Sequence, residues 1–271
     1  MAEPAGDISD AAFTLTGFNT DEPIVAVSLH SGTRVRRALQ ELLVFDDQAR
    51  RREEDGYIDA LAAAAKARII VHVSRFEVDL NRPPHKALYR APEDAWGLTL
   101  WREEPPESEV ECSREIHRRF YETVEDRFEL LARRFRRFLV LDLHSYNHRR
   151  GGPNVPPADV TGAPEVNIGT GTMDRDFFGP VVDRFMGELR KGAPPQLGEL
   201  DVRENVNFRG GYFPRWVHGR FIRTACAIAV EVKKTYMNEW LGNVDLERLD
   251  VLRLAVRRAA VGAAAELEAL P

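Results

Sequence analysis

The run Phe138-Leu139-Val140-Leu141-Asp142-Leu143-His144-Ser145 constrains this chain more than any other segment. Its continuous apolar stretch reads as a buried strand, and it stops abruptly at Asp-x-His-Ser, which leaves an imidazole at a sheet edge. The arrangement recurs at Ile24-Val25-Ala26-Val27-Ser28-Leu29-His30-Ser31-Gly32, where a second buried strand delivers a His into a turn of small residues. In open α/β sheets ligands gather beyond the carboxyl ends of the strands. Neutral imidazoles with a carboxylate form the usual three-ligand set of a catalytic zinc that keeps one position open for water. Either His alone reads equally well as a hydrogen-bonded structural residue. The pair points to two ligands of one ion.

Around these strands the pattern alternates. Arg34 to Arg50 reads as a polar helix or helix pair, and Asp55 to Ala67 as an alanine-rich helix with Asp55 as its N-terminal cap. Ile69 to Val73 is a β-branched strand, followed by a short strand at Glu77 to Leu80 and the turn Asn81-Arg82-Pro83-Pro84. Ala91 to Pro106, with two tryptophans and several prolines, reads as an ordered excursion at the sheet's edge. Ser108 to Arg137 forms a long charged helix whose mixed charges suit a solvated face better than a nucleic-acid surface. Asn147 to Pro164 is a loop of the kind that borders a site, and Glu165 to Gly169 a short strand. A helix at Met173 to Lys191, a Pro/Gly loop, the segment Val206 to Trp216, a strand at Cys226 to Val232 and a helix from about Asp245 complete the chain. Such alternation predicts a helix-flanked sheet, one domain over residues 1–271 with a flexible polar leader over about the first 20.

Composition narrows the function. The 271 residues suffice for a sizeable core. A net charge of −5 offers no global attraction to nucleic acid or anionic lipid, so neither is expected as a partner. Two cysteines, Cys112 and Cys226, provide no disulfide framework and fit a reducing cytoplasm. The acidic start Met1-Ala2-Glu3-Pro4-Ala5-Gly6-Asp7 lacks the basic and apolar regions of a signal peptide, and no apolar run reaches membrane-spanning length. The expected location is therefore cytoplasmic. Oligomeric state is not specified.

Glu231 sits in an otherwise apolar strand, where an unpaired charge is costly. It is either the partner of an arginine or a general base that takes a proton from attacking water and returns it to a leaving amine. Arg75, Asn81 and Arg82 flank the short strand at 77–80. A guanidinium fork with an orienting amide suits an acidic substrate, or the oxyanion that forms when water attacks an amide carbonyl.

In order along the chain, His30-Ser31-Gly32, Ser74-Arg75-Phe76 with Asp79-Leu80-Asn81-Arg82-Pro83, Asp142-Leu143-His144-Ser145, Asn167-Ile168-Gly169-Thr170, Phe208-Arg209-Gly210-Gly211-Tyr212 and Val230-Glu231-Val232 resemble the successive motifs of the N-formylglutamate amidohydrolase family. That family is related to zinc carboxypeptidases and aspartoacylase-like deacylases. The resemblance implies a three-layer α/β/α fold with a mixed sheet, as in the zinc carboxypeptidase-like hydrolases. It implies one zinc per chain on His30 and His144, Glu231 as the proton-transfer residue, Arg75 as a catalytic contact, and Asn81 and Arg82 as substrate contacts. Carboxypeptidases take their acidic ligand three residues after the first His, where this chain has Thr33. By likeness to the acidic spot before the second helix in the family, Asp55 becomes the third ligand, with Glu54 in reserve; an acidic helix start is the competing explanation. Arg215 is the expected carboxylate clamp, although Pro214 replaces the Thr of the family motif before it. The implied activity is hydrolysis of N-formyl-L-glutamate, or another small N-acyl derivative of an acidic amino acid, with water as nucleophile, in histidine breakdown. Two alternatives stand beside it: a peptide or acyl-peptide hydrolase whose extended cleft is shaped by Pro153 to Pro164, and a noncatalytic ligand-binding relative.

Overall fold

A computed structural model describes residues 7–191 and 199–271. The first six residues of the leader and most of the Pro/Gly loop after Lys191 lie outside these. In chain order the elements are β1 (Ile8–Ser9), β2 (Phe13–Thr16), β3 (Ile24–Ser28), α1 (Arg37–Leu42), α2 (Asp47–Glu53), β4 (Ala67–Val71), α3 (Glu107–Arg134), β5 (Phe138–Tyr146), β6 (Val166–Gly169), α4 (Arg175–Lys191), β7 (Val202–Glu204), α5 (Tyr212–Arg220), β8 (Ala225–Lys233) and α6 (Leu246–Ala269). Short 3₁₀ turns lie at Ile58–Ala64, Pro84–Lys86 and Pro92–Ala95.

The eight strands form one mixed sheet in the order β1-β2-β4-β3-β5-β8-β6-β7. The central four, β4, β3, β5 and β8, are parallel. β5 is buried at every residue, as its apolar run requires. Alternate residues of these strands enter two different cores. Leu139, Leu141 and Leu143 of β5 pack with α4, α6 and the turn at Ile58–Ala64. Phe138 and Val140 pack with Phe120, Val124 and Phe128 of α3 and Phe213 and Val217 of α5. Helices therefore cover both faces of the sheet, which is the α/β/α arrangement. A third, smaller cluster around Phe76, Tyr89 and Trp101 makes the excursion at 91–106 an ordered one.

Four local expectations are corrected. Residues 8–16 of the leader form two strands at one side of the sheet, β1 at its edge and β2 inside it: Phe13 and Leu15 are buried while Thr14 and Thr16 are less so, and β2 pairs antiparallel with both β1 and β4. Asp55 caps no helix, because Tyr57 takes the left-handed conformation (φ 62°) and only a 3₁₀ stretch follows. Glu77 to Leu80 turns rather than extends, closed by hydrogen bonds from the Glu77 and Val78 amides to the Ser74 carbonyl. β7 is an additional short strand, and the segment from Tyr212 is helical.

Candidate active site

β3, β5 and β8 are adjacent and parallel, so their carboxyl ends converge. His30 stands just beyond β3, His144 lies near the end of β5, and Glu231 of β8 is directly opposite His144 in register. Asp55 comes in after α2, its amide donating to the His30 carbonyl at 2.9 Å, so the main chain itself brings this acid to the first His. The two imidazole centroids are 4.8 Å apart. Asp55 Oδ2 lies 3.1 Å from His144 Nδ1 and 3.7 Å from His30 Nδ1. Each of the three residues is at most 3 % exposed.

The far nitrogen of each ring is already engaged. His30 Nε2 lies 2.8 Å from Asp79 Oδ1, and His144 Nε2 lies 3.0 Å from Asp142 Oδ1. A carboxylate at Nε2 accepts its proton and leaves the Nδ1 lone pair for a ligand. His30 Nδ1 is buried and has no hydrogen-bond partner among the described residues. The three donor atoms lie within 4.8 Å of one another. Two imidazole nitrogens and a carboxylate oxygen are a donor set that zinc accepts, so the residues fit the ion that the sequence implies. Burial alone would push the Asp55 carboxyl up, but the hydrogen bond with His144 and the adjacent His30 imidazole hold it well below the usual range. Glu54 points elsewhere, paired with Arg50 and accepting from Ser74, which leaves Asp55 as the acid facing the histidines.

Asp79 and Asp142 escaped the sequence reading. The signal for Asp142 was present, since two residues before His144 on a strand is the same face. Asp79 also accepts from the Asn81 amide at 2.8 Å, from Tyr89 and from Arg75 Nη2 at 3.3 Å. Arg75 is fixed further by Tyr89 Oη, 3.1 Å from Nε, and by the Trp96 ring, whose centroid is 4.7 Å from its guanidinium carbon. Nη1 of Arg75 has no protein acceptor among the described residues. Asn81 Oδ1 accepts from the Phe213 amide at 2.9 Å, which turns Nδ2 toward the site, 3.3 Å from His144 Nε2. A Cβ on Gly211 would lie 2.2 Å from that Oδ1, so only glycine leaves room for this pose.

These groups line one cleft of about 310 Å³ together with Arg82, Arg209 and Glu231. Glu231 has no hydrogen bond or ion pair among the described residues, so no arginine partner accounts for its charge. Removal from water pushes its carboxyl up to about 7 against the pull of His144, with Asp55 and Asp142 adding to the rise. Lys234 forms part of the floor, its Nζ donating to the carbonyls of Arg52 and Glu54 at 2.7 Å and to Asn147 Oδ1 at 2.8 Å. Burial pushes its ammonium down to about 8. Arg215, the expected clamp, is instead exposed on α5 outside the cleft lining. Phe213 and Val217 face the core, and a residue midway between two inward positions four apart points outward.

Fold and site together define an α/β protein with a candidate metal centre at the carboxyl ends of its parallel strands and, beside it, a glutamate unpaired among the described residues. The sequence profile of the N-formylglutamate amidohydrolases matches residues 22–237, and the chain belongs to that family. The fold is that of an N-formylglutamate amidohydrolase from Ralstonia eutropha JMP134, with a TM-score of 0.68 at 19% identity over 93% of this chain and 98% of the other. A gene product from Agrobacterium tumefaciens is similar at TM-score 0.60 and 14% identity, over 92% of this chain and 95% of its own. Comparison with curated proteins returned no match. No helix among the described residues is long and apolar enough to cross a membrane.

Proposed function

We propose that this chain hydrolyses the amide of a small N-acyl derivative of an acidic amino acid, most simply N-formyl-L-glutamate to formate and L-glutamate. The observation that carries the reading is an unpaired Glu231 in a cleft beside the buried His30, Asp55 and His144 donors, one of which is an orphaned imidazole nitrogen. Family membership supports the reaction class. One zinc held by His30, Asp55 and His144 would supply Lewis-acid polarisation of the scissile carbonyl and of water. Asp79 and Asp142 hold the two rings in the tautomer that presents Nδ1.

Glu231 takes a proton from the water that attacks the formyl carbon and delivers it to the nitrogen as the C–N bond breaks. Arg75, fixed by Asp79, Tyr89 and Trp96 with Nη1 uncommitted, donates to the carbonyl oxygen as negative charge grows there. Asn81 Nδ2 orients the substrate on the same side. Arg82 lies on the cleft wall and binds the α-carboxylate. Free Cys112 and Cys226 accord with a cytoplasmic setting.

The test is formate release from N-formyl-L-glutamate by the purified protein loaded with Zn²⁺, with and without a chelator. Formate production that the chelator abolishes is expected, and metal-loaded protein inactive on this and related N-acyl amino acids would overturn the reading. An extended peptide cleft gains no support: Pro157, Ala158 and Val160 line a separate depression.

A further inference from the structure

One arginine of the cleft, Arg209, has no part in the proposed reaction; the inference rests on the substrate class just proposed and names the residue that would select it. Residues 207–211 line the cleft, and the segment 207–213 is held from three sides. Asn167 of β6 accepts through Oδ1 from the amides of Asn207 at 2.9 Å and Phe208 at 3.3 Å, and its Nδ2 donates to the Phe208 carbonyl at 2.8 Å. The Gly171 amide donates to the Arg209 carbonyl at 2.8 Å. At the far end Asn81 Oδ1 accepts from the Phe213 amide, and the Asn81 carbonyl accepts from that of Tyr212 at 3.1 Å. The opposing wall is glycine. A Cβ at Gly169 would lie 2.7 Å from the Gly210 nitrogen, and one at Gly171 would lie 2.9 Å from Arg209 Cβ.

This fixed backbone carries Arg209, an exposed residue among those that line the cleft, whose side chain has no hydrogen bond or ion pair among the described residues. Each of the other arginines of the cleft makes a contact with protein: Arg75 with Asp79, Arg82 with the Asp94 carbonyl at 3.3 Å, and Arg150 with Glu53 at 3.2 Å. A guanidinium fork pairs two parallel N–H groups with the two oxygens of a carboxylate. A side-chain amide brings one acceptor and two donors and no charge, so it satisfies that fork poorly.

We propose that Arg209 is the specificity residue, binding the side-chain carboxylate of a dicarboxylic N-acyl amino acid while Arg82 binds its α-carboxylate. Selection then lies in the 207–213 segment, and Gly171 keeps Arg209 in place by leaving room for its Cβ.

The experiment compares zinc-loaded wild type, Arg209→Gln and Gly171→Ala in two ways. The first is the ratio of kcat/KM for N-formyl-L-glutamate to that for N-formyl-L-glutamine. The second is calorimetric binding of glutarate against its monoamide. In wild type the acidic substrate and glutarate should be preferred. Arg209→Gln should lower both preferences by roughly 10- to 100-fold, mainly through KM and Kd, and Gly171→Ala, which keeps the charge but displaces it, should shift them the same way. Formate release with an unchanged preference in Arg209→Gln would overturn the role of Arg209 and leave the proposed reaction standing. If wild type releases no formate but prefers glutarate in an Arg209-dependent way, the role of Arg209 stands and the deformylase reading falls. Glutarate binding indifferent to Arg209→Gln overturns that role in either case.

Discussion

Glu231 carries a cost to the fold at a position where the proposed reaction would use it. Its carboxyl is raised to about 7, chiefly by removal from water, and nothing among the described residues pairs with it. The ordinary value for a glutamate is 4.5, so between that value and about 7 the folded, metal-free protein binds a proton that the unfolded chain has lost. Stability must therefore fall as pH rises through this window, and the penalty is complete above it. Glu231→Gln removes the titration: in urea unfolding of metal-free protein the variant should match wild type near pH 4 and exceed it by about 1–3 kcal/mol at pH 8. A cation held by His30, Asp55 and His144 would favour the ionised carboxylate and shift the acid limb of activity below the metal-free value. The same substitution should lower kcat by about 10²–10⁴-fold with zinc retained and KM little changed. Near-normal turnover would move proton transfer to another group.

Among the elements, the end of β8 and the end of α2 are tied together by Lys234. Its three acceptors match the three N–H bonds of an ammonium, and a value near 8 keeps that ammonium charged at neutral pH. Because two of the acceptors are the carbonyls of Arg52 and Glu54, this side chain fixes the strand of backbone that delivers Asp55. Lys234→Met fills the space but leaves three oxygens unpaired, so it should lose about 2–4 kcal/mol in denaturant unfolding and release zinc faster to a chromophoric chelator. Unaltered zinc release would show that the Asp55 amide on the His30 carbonyl is sufficient by itself. Lys234 was only a basic residue after an apolar strand when read in sequence; its partners lie about 90 and 180 residues away, and no local pattern encodes such separations. Strands β3, β5 and β8 were legible for the opposite reason, since burial on both faces leaves a continuous apolar run in the sequence itself. The outlying strands β1 and β2 were not, being short and only half-buried on alternate residues, with no continuous apolar run.

At the scale of the whole molecule, the candidate centre joins parts of the chain that share no local structure: β3, the stretch after α2, the turn at Asp79, β5 and β8. Motif likeness pointed to His30, His144 and Asp55, which the fold brings together, whereas for Arg215 it fixed a position in sequence and not the face of α5, on which the side chain lies exposed outside the cleft lining. An ion at such a junction binds the folded chain and finds no preformed site in the unfolded one, so its binding adds directly to folding stability. At zinc concentrations about 1,000 times Kd the gain is about 4 kcal/mol, which for a chain of this size corresponds to a rise in Tm on the order of 10 °C. Scanning calorimetry of chelator-treated protein, with and without added Zn²⁺, should show that rise in wild type and little of it in His144→Ala. The variant should still unfold cooperatively, because His144 lies at the end of β5 and the apolar residues of both cores are untouched. Metal analysis should find one zinc per wild-type chain and most of it missing from the variant. Equal zinc content and an equal rise in Tm in the two proteins would remove His144 from the ligand set, and with it the centre on which the proposed hydrolysis depends.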